Sequence, residues 1–154
     1  PAIYLQLKEK LDPPDALAVT NEIIIAVSSD VDRAFDKKHG LMKIQDPFQR
    51  WQKYRNNLTA EGFGLFNKIT NVEVSPERMH YVVSRCIFHD FLTQAGAPEI
   101  NHFICDYDIM AHGRLFPEFD FSRNGSLENT MGHGNACCHY TWEVKPKPDL
   151  TISG

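Results

Sequence analysis

The chain has 154 residues, of which 42% are apolar and 23% charged, and its 20 acidic and 16 basic residues give a formal charge of −4. This composition is globular and excludes the low-hydrophobicity signature of disorder, and the length suits one domain with a sizeable core. The basic residues form no long block, which argues against a nucleic-acid footprint, and no stretch approaches the roughly 20 apolar residues that span a bilayer.

The start shows no basic region followed by an apolar run, so a secretory signal is not expected and a cytoplasmic location is. The chain begins at Pro1, which leaves open an upstream segment that was trimmed or processed. Four cysteines are too few for a disulfide-framework mini-protein. Two sequons, at Asn57 and Asn124, match a three-residue pattern that is common by chance.

Residues 1–14 read as a short amphipathic start, LQLKEKL, broken at Asp12-Pro13-Pro14. From Asp15 to about Lys38 the spacing of Leu17, Ile24, Val27, Val31, Ala34 and Phe35 is helical, and Gly40 ends the run. After Asp46-Pro47, Phe48, Trp51, Tyr54 and Leu58 recur at helical steps and read as core rather than as a cofactor box. Gly62 and Gly64 close this helical part.

Phe66 to Val74 alternates as a strand, Ser75-Pro76-Glu77 makes a turn, and Met79 to Cys86 reads as the return strand of a hairpin. A helix follows from Ile87. Gly96 and Pro98 close it and open the next, roughly Pro98 to Gly113. Strands near Phe119–Ser122 and Cys137–Val144 complete the pattern, and Lys145-Pro146-Lys147-Pro148 begins an extended polar tail. The expectation is α+β: N-terminal helices packed on a small antiparallel sheet with two inserted helices. One domain covers 1–154, with a helical part (1–62), a strand-helix-helix-strand part (63–145) and a tail (146–154).

All four cysteines and most of the histidines fall between Cys86 and Trp142. On the helix from Pro98, Asn101, Cys105, Asp108 and His112 follow at steps of four, three and four, which places them on one face. A thiol, a carboxylate and an imidazole on one face can line a pocket in which the cysteine attacks and its neighbours move protons. Equally, Cys105 reads as a small core residue and Asp108 as a hydrogen-bonded carboxylate. Cys86 and His89 straddle a strand-to-helix junction. Adjacent Cys137 and Cys138 point to opposite faces on a strand, so at most one faces the centre. Arg123 follows the alternating Phe119-Asp120-Phe121-Ser122; its planar fork suits a substrate carboxylate if it projects inward.

A metal reading uses much the same atoms. Cys86, His89, Cys105 and His133, with Asp108 and Cys138 near in sequence, offer enough ligands for one zinc or iron ion. No Cys-x-x-Cys or His-x-x-x-His pair supports it, so the cofactor expectation is none or one such ion. The Gly132-His133-Gly134-Asn135 bend can offer backbone donors to an anion, yet phosphate-loop and dinucleotide fingerprints are missing, and no nucleotide is expected.

Taken in order, Arg85-Cys86, Gly96 to Ile100, the Cys105 and Asp108 pair, Phe121 with Arg123, and Gly134, Cys138 and Tyr140 resemble the L-2-amino-thiazoline-4-carboxylic acid hydrolase family of small bacterial and fungal proteins. The resemblance is close over about residues 65–144 and looser over the helical first third. Two departures stand out. His139 and Tyr140 replace the acidic residue and phenylalanine common in the family, and Ser126 to Gly134 is slightly longer and carries His133.

The resemblance implies a hydrolase that opens a C–N or C=N bond of a small cyclic amidine or amide-like acid. In its thiol version Cys105 attacks, His89 or His133 shuttles the proton, Asp108 orients the base and Arg123 holds the carboxylate, with Asn101, His112 and Cys138 lining the substrate. In its metal version the cysteines and histidines hold the ion, which activates water. The reading from another class is a small-molecule sensor or carrier with the same pocket and no turnover. A small molecule is the expected partner, with no nucleic acid and no membrane, and a homo-oligomer is left open.

Overall fold

The computed structural model describes residues 1–126 and 128–146. The expected polar tail from Lys147 onward lies outside the described residues.

Each helix begins and ends where local chemistry requires. Helix α1 (Ala2–Lys8) is followed by α2 (Pro13–His39), in which Pro13 and Pro14 occupy the first turn, where a missing N–H costs nothing. At the other end Gly40 takes the left-handed conformation, with φ 63°, and its N–H bonds Asp36 O. Helix α3 (Pro47–Ala60) is capped by Asp46, whose carboxylate accepts from Gln49 N at 2.7 Å. A short helix α4 (Phe63–Phe66) stands where the alternation read as the start of a strand, so the strand opens only at Lys68. Gly62 starts this extra turn rather than simply closing the previous helix.

Strands β1 (Lys68–Val74) and β2 (Arg78–Arg85) form the expected hairpin. Helix α5 (Ile87–Gln94) then leads to a 3₁₀ turn at Pro98–Ile100 and to α6 (Asn101–Leu115). The helix expected from Pro98 is therefore split, since proline and its neighbours tighten the first turn. Strand β3 (Phe119–Ser122), a 3₁₀ turn at Met131–His133 and β4 (Cys138–Val144) complete the order.

The architecture is α+β. The sheet is antiparallel, in the order β1-β2-β4-β3, so the last strand lies inside it between β2 and β3. Met79, Tyr81 and Val83 of β2 and Cys138 and Trp142 of β4 are buried on one face, against Leu41, Trp51, Leu115 and Phe116. This alternation is what one covered face demands. Trp51 meets Trp142 edge-on at 5.6 Å and Tyr81 stacks on Tyr140 at 4.8 Å.

Two details position the site. Buried Arg50 ties α3 to the end of α6, donating to Ile44 O, Leu115 O and both oxygens of Glu118. A second small core joins Tyr4, Ala16, Leu92, Ala97 and Ile100, fixing α1, α2 and α5 around the start of α6. On α2 the periodic stripe does not end in the core: Val27 and Val31 are 57% and 61% exposed.

Candidate active site

The four-residue face of α6 is the floor of the site. Asn101, Cys105 and Asp108 line a cavity of about 60 Å³, completed by Cys86 at the start of α5, Cys138 and Tyr140 of β4, and Asn67. Asp108 and His112 line a larger neighbouring space. Asn67 is engaged in structure, donating to Phe63 O and accepting from Ile87 N. Among the described residues Asn101 makes no side-chain hydrogen bond, although it is buried.

The three thiols differ. The neighbouring Cys138 thiol, then the Thr130 hydroxyl, hold Cys105 below the ordinary cysteine range, against burial and the Asp108 charge. Cys138 is pushed upward, first by Cys105 and then by burial, while its sulfur accepts from Met131 N at 3.2 Å. Burial also raises Cys86, more than the backbone N–H groups of His89 and Phe88 lower it. Of the three, Cys105 is thus the one whose pKa is lowered, and the fourth cysteine, Cys137, lies outside the cavity beside His139 Nε2 at 3.5 Å.

The loop before β4 sits directly on Cys105. A Cβ at Gly132 would lie 2.8 Å from Cys105 Sγ and 3.1 Å from His102 Cα, so only glycine allows this approach. The same turn brings Thr130 Oγ1 within 2.8 Å of His133 Nδ1, and His133 Nε2 is 3.5 Å from Asp106 Oδ1. Thr130 is fully buried. Polar groups thus follow one another from Asp106 through His133 to Thr130, whose hydroxyl is among the groups that lower the Cys105 thiol.

Asp108 is held by two donors on one oxygen. Arg123 Nη2 and Tyr140 Oη donate to Asp108 Oδ2 at 2.7 and 2.8 Å, and Oδ1 has no hydrogen-bond partner among the described residues. Arg123 is fully buried and also donates to Cys105 O and His139 O. Burial works against its charge, but Tyr140 and Asp108 outweigh burial and raise its pKa. Arg123 lines neither cavity.

The remaining expected residues divide clearly. His112 is buried against Phe121 and Trp142, and burial lowers its pKa to about 4, so it is neutral at pH 7. His89 does not line the cavity; its Nδ1 lies 3.7 Å from Asp90 Oδ1. Of the four suggested metal ligands, Cys86 and Cys105 share the cavity and His89 and His133 do not line it. Among the described residues no three His, Cys, Asp or Glu side chains are grouped to hold a metal ion. Sequence reasoning did not single out Thr130, and Gly132 entered only as part of the bend that can offer backbone donors to an anion, not as the residue whose missing side chain lets the loop reach Cys105.

Set beside known families, the chain matches over residues 1–142 the family model described as L-2-amino-thiazoline-4-carboxylic acid hydrolase. The chain belongs to that family. Comparisons with curated proteins and with solved structures found no match. The L-2-amino-thiazoline-4-carboxylic acid hydrolase family carries the name of a hydrolase acting on a small heterocyclic acid, which points to an enzyme with a small-molecule substrate. In this member no described helix is long and apolar enough to cross a membrane.

Proposed function

We propose that this protein hydrolyses a C–N or C=N bond in a small cyclic amidine or amide-like ring, with Cys105 as nucleophile. The observation that carries the reading is a lowered thiol lining a small cavity, one helical turn from an anchored carboxylate. In the first step the Cys105 sulfur bonds the ring carbon and the C=N electron pair moves to nitrogen. That nitrogen takes a proton delivered from His133 through Thr130, which relays because its hydroxyl both accepts and donates. The ring C–N bond then breaks as a proton passes from the remaining amino group to the departing ring nitrogen, which leaves as an amine, and a thioimidate remains on Cys105.

Water attacks this intermediate, one of its protons returns through Thr130 to His133 and the other passes to the imine nitrogen, and the C–S bond breaks to release Cys105 as the thiolate that attacked. One water is consumed per turnover. Asp108 Oδ1 is free to bind the amidine N–H or to orient the water, and Asn101 offers an unengaged amide N–H to the nitrogen on which negative charge develops. Arg123 serves as a positioning residue that fixes Asp108. His89 has no part in this scheme.

Assays of ring opening on 2-aminothiazolines test the reading. Cys105→Ser removes turnover and leaves the thermal transition in place. Full turnover by that variant overturns the role of Cys105.

A further inference from the structure

The larger space beside the thiol cavity encloses about 370 Å³, which is the size of a small-molecule site. It shares Asp108 and Tyr140 with the thiol cavity, so one ligand can touch both. Tyr54, Tyr81, Tyr107 and Tyr140 line it. The hydroxyls of Tyr107 and Tyr140 are taken by Asp32 and Asp108. Those of Tyr54 and Tyr81 have no hydrogen-bond partner among the described residues, although Tyr81 is buried and Tyr54 packs against the same core. Burial raises both phenols well above the ordinary tyrosine range, so both hold their protons and stand ready to donate.

Against Tyr81 stands a cation without a counter-charge. Arg33, Arg50, Arg78, Arg85, Arg114 and Arg123 are each paired with a carboxylate. Arg55 has no such pair among the described residues, and its Nη1 is buried with no hydrogen-bond partner. Its guanidinium carbon lies 4.4 Å from the ring centroid of Tyr81. Arg55 borders a separate recess with Val72 and Val74 and does not line the larger space, so its charge acts there through the ring. That charge pulls both phenols down against burial, and is therefore felt at Tyr54 as well as at Tyr81. A buried cation left unbalanced is unfavourable, and an anion at the two hydroxyls would balance it. Asp32 and Asp108 do not fill that role, since Arg114 and Arg123 hold them.

We infer that a carboxylate on the substrate ring is received by the hydroxyls of Tyr54 and Tyr81, with Arg55 as the positioning residue that supplies the balancing charge across the Tyr81 ring. Arg123, whose charge is committed to Asp108, is not that receptor. This deepens the hydrolase reading and rests on it for the chemistry at Cys105; the recognition itself rests on the two phenols and the unpaired guanidinium.

Calorimetric titration of Cys105→Ala protein, which binds without turnover, compares 2-aminothiazoline-4-carboxylate with its neutral 4-carboxamide. The carboxylate is expected to bind tighter by about tenfold or more. Arg55→Gln brings the two probes near parity without weakening the carboxamide, and Arg55→Lys recovers part of the preference; a merely structural arginine would weaken both probes alike. Tyr54→Phe combined with Tyr81→Phe keeps both rings and the stack on Arg55 but removes the two donors, and the same loss of preference is expected. This double variant decides the matter if Arg55→Gln fails to fold. Equal binding of the two probes, binding of neither, or full preference retained by Arg55→Gln or by the phenylalanine pair overturns the inference. Turnover is read separately with Cys105 in place, where Arg55→Gln raises KM for the carboxylate about tenfold and leaves kcat within about twofold. A carboxylate that binds as expected and is never opened sinks the hydrolase reading and leaves the receptor standing.

Discussion

The guanidinium carbon of Arg123 lies 3.8 Å from the ring centroid of Tyr140, and both side chains donate to the same oxygen of Asp108. Stacking fixes the plane of the guanidinium and the shared oxygen fixes the carboxylate, so Asp108 has one orientation relative to Cys105. Arg123→Met strands a half-buried carboxylate and is expected to destabilise by about 3–5 kcal/mol, whereas Tyr140→Phe removes one hydrogen bond at about 1 kcal/mol. Urea titrations read both. Arg123→Met with Asp108→Asn recovers part of the loss, because the unpaired charge is gone; no recovery would show that the pair does not act as a unit.

The Thr130 relay gives a kinetic prediction. Thr130→Val keeps the shape of the buried side chain and breaks the link between His133 and Cys105. The expected result is a fall in kcat of about 10²-fold with little change in KM, and Thr130→Ser restores most of it. Iodoacetamide alkylation of Cys105, followed against pH, moves to higher pH in the valine variant, since a donor to the thiolate is lost. An unchanged alkylation profile argues for a structural threonine.

At Gly132 the space is filled by Cys105 and the backbone of α6. Gly132→Ala is expected to cost about 1–3 kcal/mol and to expose Cys105 to faster alkylation at pH 8, because the turn lifts away from the thiol. Thermal melts and labelling kinetics measure the two effects. A variant with wild-type stability and labelling would mean that the loop is looser than its packing indicates.

His112 predicts how stability depends on pH. Its folded pKa is near 4 and the ordinary value is 6.5. Above pH 6.5 both folded and unfolded chains hold neutral imidazole, so this group adds no slope. Between 6.5 and 4 the unfolded chain binds a proton that the native state refuses, and stability falls as pH falls, by about 3 kcal/mol in total. His112→Phe removes this slope, which chemical denaturation at pH 7 and pH 4.5 shows as a smaller difference than in the parent protein. Equal differences in the two proteins would place the acid sensitivity elsewhere.

Chelation separates the thiol chemistry from the metal alternative. Dialysis against EDTA leaves ring-opening activity unchanged, and stoichiometric iodoacetamide abolishes it. Activity lost on dialysis and restored by zinc would replace the thiol mechanism with metal-activated water.

Local patterns carried most of the fold into the sequence. The steps from Asn101 to His112 placed one polar face, and that face does line the two cavities. Asp46-Pro47 and Gly40 marked helix ends because capping is a property of a few adjacent residues. Relations set by register were hidden. Arg123 looked available for a substrate carboxylate, since nothing nearby in sequence shows that β3 and α6 deliver it to Asp108. The stripe of Val27 and Val31 told of a helix without telling what faces it. Thr130 gave no sign at all, because its meaning depends on a three-residue turn that packs onto a helix 25 positions earlier in the chain.

The placement of β4 inside the sheet sets the order of events during folding. The β1–β2 hairpin can close by itself, but β2 and β3 have no partner between them until the last strand arrives. Cys105 and Asp108 on α6 stay exposed to solvent until then, as Cys138 and Tyr140 enter only with β4. Closing a loop of that length is entropically slow, so the thiol is shielded only when the last strand docks, and the chain acquires its chemistry in a single late step.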